Sequence, residues 1–285
     1  MNWHQLLALV KTVGSAGRDV MEEWLRRSHQ DRFGRDEAFV EIIRPFFQFL
    51  YYQYFRVSVD GVAHLPTKGR AMIVANHSGT LPFDGTMVAL AVFNKGGRTR
   101  RPVRFLVDDF VFDLPSVGWV MERLGGLRAS RENARAMLDD DQLIAVFPEG
   151  VRGVGKFYED RYQLERFGHG GFVRIAMQTR APIIPTAIIG AEEIYPLVGK
   201  SERLAQLCKL PYFPITPTFP WLGPLGLIPL PTKWKIIFGK PVSFAKARPK
   251  DADNQSLVEE KTEAIRGAVQ RMITTELAKR KSVWF

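Results

Sequence analysis

The chain has 285 residues, of which 46% are hydrophobic, which is enough to bury a large core and excludes an intrinsically disordered protein. The 40 Lys and Arg residues outnumber the 30 Asp and Glu residues, so the net charge of +10 favours an anionic partner such as a lipid surface, nucleic acid or a phosphorylated small molecule. The single cysteine, Cys208, excludes an intramolecular disulfide framework and a cysteine-rich zinc site, and we expect it to be a small buried hydrophobe.

Residues 1–54 are predicted to form an N-terminal helical segment that associates with a membrane. Apolar side chains from Trp3 to Leu25 recur at helical spacing, and the start lacks the apolar stretch of a secretory signal, so we expect mature protein. A second helix from about Asp36 carries more aromatic residues than one stripe holds, and Pro45 predicts a kink or restart within it. Burial in the core and contact with lipid both remain open for this helix.

From about Phe55, short apolar strands alternate with helical stretches. The predicted strands are FRVSVDG, AMIVAN, PVRFLVD, LIAVFPEG, PIIPTAIIG and WKIIFG. This alternation predicts an α/β fold with a mostly parallel central sheet flanked by helices, forming a catalytic domain over residues 55–245. A helix at about residues 254–281 is expected to pack on that domain as part of a C-terminal segment, residues 246–285. Active sites in such sheets lie at the carboxyl ends of the strands.

The longest uncharged stretch, residues 210–232, is long enough to span a bilayer but contains seven prolines. Proline removes backbone donors, so the stretch is predicted to be an extended loop and not a membrane-spanning helix. It either packs on the core or places Phe219, Trp221 and Leu222 in a membrane interface or along an apolar channel.

A general base near neutral pH is most often a histidine, and this sequence has five. His4, His29, His64 and His169 lie in settings typical of surface or structural residues. His77 directly follows a predicted buried strand, and Asp84 downstream is placed to accept a hydrogen bond from the Nδ1–H group of its ring. Such a pair leaves the second ring nitrogen free to take a proton from a hydroxyl, although a lone histidine after a strand is more often structural.

Two further polar clusters occur near strand ends. Glu149, Gly150 and Arg152 follow one strand, where they form either a site or a structural ion pair. Arg128 and Arg131 precede a predicted helix whose start can accept an anion.

Four segments have the order and approximate separations of the four sequence blocks of the glycerolipid acyltransferases, which include the lysophosphatidic acid acyltransferases: NHSGTLPFD, the Arg131 segment, FPEGVR and APIIPTAIIG. The chain resembles this family over about residues 55–245, and most of all its branch of monoacylglycerol and diacylglycerol acyltransferase-like proteins. The resemblance implies that His77 is a general base. An acceptor hydroxyl would then attack the thioester of acyl-CoA or acyl-carrier protein without an acyl-enzyme.

The resemblance implies roles for other residues as well. Asp84 would orient His77, and the acceptor or its phosphate would be bound by Glu149, Gly150, Arg152 and Arg131. Pro182 would belong to the strand that shapes the acyl pocket. No cofactor is implied beyond the acyl donor, and the sequence contains no compact metal-ligand cluster.

The sequence departs from the family pattern at two positions. Six residues separate His77 from Asp84 where four are usual, so Asp108 or Asp109 after the next strand is an alternative orienting carboxylate. Val151 replaces the usual Thr or Ser, which removes a hydroxyl donor to an acceptor phosphate and makes a neutral alcohol a competing acceptor.

Together these observations predict a peripheral membrane enzyme on the cytoplasmic side, with membrane lipids as partners. A basic run, either a lipid or phosphate contact or a solvated loop, contains Lys95, Arg98, Arg100, Arg101 and Arg104. A catalytically silent lipid-binding relative is one alternative. A basic nucleic-acid-binding protein is another, but no recognition-helix, aromatic RNA-binding or zinc-finger pattern supports it. The sequence leaves the oligomeric state open.

Overall fold

The structure is a computed structural model and describes residues 28–78, 81, 83–95, 97, 101–113, 117–208 and 210–284. The predicted helix between Trp3 and Leu25 lies outside these residues, as do Arg98 and Arg100. Within them the chain forms the predicted α/β fold, with a mostly parallel seven-stranded sheet between helical layers.

The main sheet contains β1 (Ser58–Asp60), β2 (Ala71–Ala75), β3 (Val103–Val107), β4 (Gly126–Arg128), β5 (Leu143–Val146), β6 (Ile183–Ile189) and β9 (Lys235–Phe238). Its strand order is β1-β9-β6-β2-β5-β3-β4. The five strands from β6 to β4 are parallel, whereas β9 pairs antiparallel with β6 and parallel with β1. The six predicted strands are therefore confirmed, and β4 is an addition at the sheet edge.

The α-helices are α1 (Glu37–Phe49), α2 (Phe83–Lys95), α3 (Asp109–Asp113), α4 (Val117–Arg123), α5 (Arg131–Asp139), α6 (Val151–Val154), α7 (Gly171–Thr179), α8 (Glu202–Cys208) and α9 (Gln255–Leu277). A separate antiparallel pair, β7 (Gly199–Ser201) and β8 (Phe213–Ile215), flanks α8. The predicted long loop thus contains β8 and, further on, a 3₁₀ helix (Gly223–Leu227).

The aromatic helix α1 has two different faces. It begins after Asp36, whose side chain accepts a hydrogen bond from the backbone N–H of Phe39 at 3.1 Å. Pro45 lies inside α1 without ending it, and the helix continues into a π-helical turn, Leu50–Tyr54. Tyr51 in that turn is buried, whereas Phe46 is largely exposed. One side of the segment therefore packs on the core and the other lies on the surface.

The sheet separates two hydrophobic cores. Along β2 the side chains alternate, with Met72 and Val74 packing toward α5, α7 and α9, and Ile73 packing toward α2 and the π-helical turn. The predicted C-terminal helix is α9, and its buried side chains belong to the first core. Within the described part of the chain, no helix is long and apolar enough to cross a bilayer.

Two expectations about individual residues are corrected. Cys208 is exposed at the end of α8 and is not a buried hydrophobe. In the basic run, Arg104 is buried on β3 and pairs with Asp31, while Arg101 donates to the backbone oxygen of Gly69 at 2.6 Å. These two arginines stabilise the fold instead of forming a solvated loop.

Candidate active site

Polar side chains follow three neighbouring strands of the main sheet, at the carboxyl ends of those strands. His77 lies two residues after β2, Glu149 three residues after β5, and Asp108 directly after β3. Since β2, β5 and β3 are adjacent and parallel, their carboxyl ends lie side by side. This is the location that the strand pattern predicts for a site.

His77 and Asp84 are hydrogen-bonded, with 2.6 Å between Nδ1 of His77 and Oδ2 of Asp84. Asp84 lies in the first turn of α2, and the same oxygen accepts the backbone N–H of Ser78 at 3.0 Å. Because an ionised carboxylate only accepts hydrogen bonds, Nδ1 carries the proton and Nε2 is left to act as a base. The six intervening residues are compatible with this contact since the start of α2 places Asp84 against the ring.

The protonated form of His77 is more stable in its surroundings than the protonated form of a free imidazole is in water. Burial of the ring disfavours the charged form, but the Asp84 carboxylate, by charge and hydrogen bond, together with Glu149 and Asp108, raises the pKa of His77 above its usual value. The ring also stacks on Phe147, with 4.7 Å between centroids. Asp84 is the residue that bonds Nδ1, whereas Asp108 contributes only at longer range.

Glu149 lies beneath His77 and is buried. One of its oxygens accepts the backbone N–H of His77 at 2.9 Å, and the other accepts the backbone N–H of Glu165 at 2.9 Å. The second oxygen also lies 3.2 Å from Nζ of Lys156. Glu149 therefore supports the His77 backbone and does not line the neighbouring cavity, in contrast to the predicted contact with an acceptor.

A cavity of about 410 Å³ opens beside His77. His77, Asp84, Gly150 and Arg131 are part of its lining. Most of the remaining wall is apolar and comes from α2, β3, α3, α4, α5 and α7, including Phe105, Leu106, Phe110, Val111, Val117, Met121, Leu124, Ala134, Phe172 and Ile175. An imidazole–carboxylate pair thus lies against an apolar chamber, an arrangement suited to a substrate with a long hydrocarbon part.

The other predicted site residues are distributed differently. Arg131, the first residue of α5, is exposed at the cavity, and Arg152 is an exposed residue of α6. Pro182 precedes β6, and its carbonyl accepts the N–H of Met72 near the start of β2. Pro182 therefore lies at the amino end of the strands, whereas His77 lies at their carboxyl end, and Pro182 is not part of the cavity wall. Phe219, Trp221 and Leu222 lie in the long loop and not in the cavity wall.

Several residues at the site were not selected from the sequence. His169 and Ser130 line the cavity, and Lys156 lies under it. Gly153 is required for packing, because a Cβ there would lie 2.6 Å from Cβ of Glu149 and 3.2 Å from Cβ of His77. The glycines around His169, in FGHGG, were an available signal of a tight turn near a helix start, but no local pattern pointed to Lys156.

The residues that the structure describes contain no group of three or more His, Cys, Asp or Glu side chains arranged to hold a metal ion.

The sequence is similar to a family model and to several known proteins. The family model described as Acyltransferase matches residues 56–189. An uncharacterized protein of Mycobacterium tuberculosis is 46% identical over 256 residues, covering 90% of this chain and 71% of the relative. The human "DGAT1/2-independent enzyme synthesizing storage lipids" is 26% identical over 215 residues, covering 75% of this chain and 60% of that protein.

The fold is also found among solved structures. The 1-acyl-sn-glycerophosphate (LPA) acyltransferase PlsC from Thermotoga maritima is similar with a TM-score of 0.58, covering 96% of this chain and 94% of that one. Its sequence identity of 20% is too low to transfer more than the fold.

Proposed function

We propose that this chain, which belongs to the acyltransferase family, transfers a fatty acyl group from acyl-CoA or acyl-carrier protein to a hydroxyl of a glycerolipid or lysophospholipid. The name of the human storage-lipid enzyme supports an acceptor of this class.

The observation that carries the proposal is the apolar cavity with the His77–Asp84 pair in its wall. A chamber of about 410 Å³ lined mainly by Phe, Leu, Val and Met suits a fatty acyl chain, because burial of each methylene contributes about 0.8 kcal/mol. The hydrogen bond from His77 to Asp84 also favours an active enzyme over a silent lipid-binding relative, since the pair is assembled.

In the proposed reaction, Nε2 of His77 takes the proton from the acceptor hydroxyl. The oxygen attacks the thioester carbonyl carbon, a C–O bond forms and the C–S bond breaks. The thiolate leaves and receives the proton from the imidazolium, so no acyl-enzyme is required. Asp84 keeps the proton on Nδ1 and stabilises the imidazolium while His77 is charged.

The polar part of the substrate is assigned to the cavity entrance. Arg131 and Gly150 line the cavity, and Arg152 follows on α6, so two guanidinium groups are available for a phosphate of the acceptor or of the donor. Val151 supplies no hydroxyl there, which keeps a neutral acceptor such as monoacylglycerol or diacylglycerol as the competing assignment.

We propose a peripheral location on the cytoplasmic side of a membrane. The apolar surface consists of Phe46, Phe49 and Tyr52 near α1 and of Trp221, Leu222, Leu225 and Ile228 in the long loop, all of them exposed. The two parts meet where the hydroxyl of Tyr54 donates to the carbonyl of Pro229 at 2.6 Å. Exposed aromatic and aliphatic side chains on a basic protein are typical of binding to anionic lipid.

Substitution of the general base tests the proposed reaction. We expect His77→Ala to lower kcat by about 10²- to 10⁴-fold, because general-base catalysis contributes about that much. Purified protein would be offered acyl-CoA or acyl-carrier protein with monoacylglycerol, diacylglycerol or lysophosphatidate, and the ester product measured by mass spectrometry. His29→Ala, an exposed histidine away from the cavity, is the matched control.

Two outcomes would contradict the proposal in different ways. An unchanged rate in His77→Ala would show that another group is the base. If the native protein transfers no acyl group to any acceptor but binds lipid, the silent relative is the correct description.

A further inference from the structure

A buried lysine lies beneath the proposed general base. Lys156 follows α6, and its side chain is only 6% exposed. Its Nζ lies 3.2 Å from a carboxylate oxygen of Glu149 and 3.1 Å from one of Glu192, and both carboxylates are buried. The three side chains form a carboxylate–ammonium–carboxylate bridge between the residues after β5 and those after β6.

The two carboxylates hold backbone groups as well as the lysine. Glu149 accepts the N–H of His77 and of Glu165, each at 2.9 Å. Glu192 accepts the N–H of Tyr162 at 2.8 Å and lies 3.4 Å from the side-chain amide of Asn76. The bridge therefore reaches the segment after β2 that carries His77, and the loop at residues 162–165.

The charge of Lys156 is needed for this arrangement. An isolated carboxylate that is removed from water tends to take up a proton, and a protonated oxygen no longer accepts in the same way. Burial disfavours the charged ammonium, yet Glu192 and Glu149 raise the pKa of Lys156, so it stays protonated near neutral pH. Lys156 thereby places a positive charge and a hydrogen-bond donor 3.2 Å from Glu149, whose two oxygens accept the N–H groups of His77 and Glu165.

We propose that Lys156 is a positioning residue for acyl transfer. Through Glu149 it holds the backbone of His77, and so sets where the imidazole stands relative to the hydroxyl and the thioester in the cavity. The inference rests on the proposed function, because it assigns Lys156 a role only if His77 is the base.

A positioning role and a purely structural role predict different kinetics. Displacing a catalytic group by about 1 Å lowers the rate on the order of 10²-fold while substrate binding in the cavity is retained. Loss of stability alone lowers the amount of folded enzyme and leaves kcat per folded molecule unchanged. The kcat of folded protein, set against the KM for the acyl donor, therefore separates the two roles.

The experiment compares Lys156→Met, Glu149→Gln and the double variant, each assayed well below its thermal midpoint. We expect each single change to lower kcat by about 10- to 100-fold with KM for the acyl donor within about twofold of native. The kcat of the double variant should be no lower than that of the less active single variant, because both changes act through the same hydrogen bond to His77. Lys156→Arg should recover part of kcat.

The matched controls address charge and folding. Lys235→Met removes a partly buried lysine whose ion pair with Asp60, at 2.7 Å, lies outside the site, and should leave kcat unchanged. Glu149→Gln should also move the acidic limb of the kcat/KM profile to lower pH. The charged groups that raise the pKa of His77 are Asp84 on α2, Asp108 after β3 and Glu149, and this variant removes one of them.

Three results would overturn the positioning role: native kcat in folded Lys156→Met, kcat losses that multiply in the double variant, or an equal loss in Lys235→Met. If Lys156→Met does not fold, a folded Glu149→Gln with native kcat would overturn it equally. Each of these is distinct from failure of the proposed function, which would appear as native activity in His77→Ala.

Discussion

At the scale of single residues, the contact between His77 and Asp84 depends on a helix start. The sequence places them seven positions apart, and the extra separation suggested Asp108 or Asp109 as alternative partners. In the structure, Asp109 lies 3.1 Å from Arg128, and Asp84 bonds Nδ1 of His77. Asp84 is only 1% exposed, so its charge acts on the ring with little screening by water.

Asp84→Asn tests the orienting carboxylate through activity and pH dependence. His77 acts as a base only when neutral, so kcat/KM falls as pH drops through its pKa. Asp84 raises that pKa, so the substitution should move the acidic limb to lower pH. It should also lower kcat by about 10³- to 10⁴-fold, because an amide does not hold the correct tautomer.

The measurement for Asp84→Asn is a kcat/KM profile between pH 5 and pH 9, with unfolding followed in parallel. Near-native turnover at every pH would show that another carboxylate orients His77. An acidic limb at the native position would contradict the charge effect of Asp84.

At the scale of elements, the cavity is built from pieces that are weak in sequence. The strands that precede His77 and Glu149 are continuous apolar runs, so the sequence identifies them as buried strands. The cavity wall opposite them includes α3 and α4, of five and seven residues, and the three-residue strand β4 precedes the cavity residue Ser130. Elements this short are stabilised mainly by their contacts. The helical pattern of VGWVMERLGG indicates α4 in the sequence, whereas local periodicity does not reveal α3 or β4.

Val111 on α3 provides a test of the cavity as an acyl site. Val111→Phe adds volume to the wall, so transfer of a 16-carbon acyl group should fall by about tenfold in kcat/KM, as expected for a clash of about 1.4 kcal/mol. Transfer of an eight-carbon group should fall much less. Val111→Ala is the control, since it enlarges the cavity without blocking it.

The result for Val111→Phe is a ratio of rates for two donors, which cancels differences in the amount of folded enzyme. An unchanged ratio of long-chain to short-chain transfer would place the acyl group outside the cavity.

At the scale of the whole molecule, the chain that leads into the exposed apolar loop contacts the cavity wall. Tyr212, in the chain between α8 and β8, donates to the carbonyl of Val154, a cavity residue, at 2.9 Å. The part of the long loop after β8 carries Trp221 and Leu225, which are 72% and 67% exposed. The loop and the cavity wall are thus connected through Tyr212.

Loss of the loop's apolar side chains should weaken lipid binding. We expect Trp221→Ser combined with Leu225→Ser to raise the Kd for anionic phospholipid vesicles by at least about tenfold, since full burial of each side chain contributes about 1.5–3 kcal/mol. Trp119→Ser, which removes an exposed tryptophan of α4, is the control. Co-sedimentation with vesicles measures the change, and equal binding by the double variant would locate the lipid contact elsewhere.

The sequence by itself determined the α/β class, the strands with buried runs and the histidine at a strand end. These follow from local patterns, because the period of apolar residues distinguishes strands from helices and parallel strands place their ends together.

Only the tertiary structure decided which distant residues meet at His77. Glu149 contacts the His77 backbone from 72 positions along the chain, and Lys156 in turn contacts Glu149; neither contact follows a local sequence period. It also decided the exposure of Cys208, the structural contacts of Arg104 and the remoteness of Pro182 from the site. These depend on the packing of elements far apart in sequence, because whether a side chain is buried or paired is set by its spatial neighbours and not by its sequence neighbours.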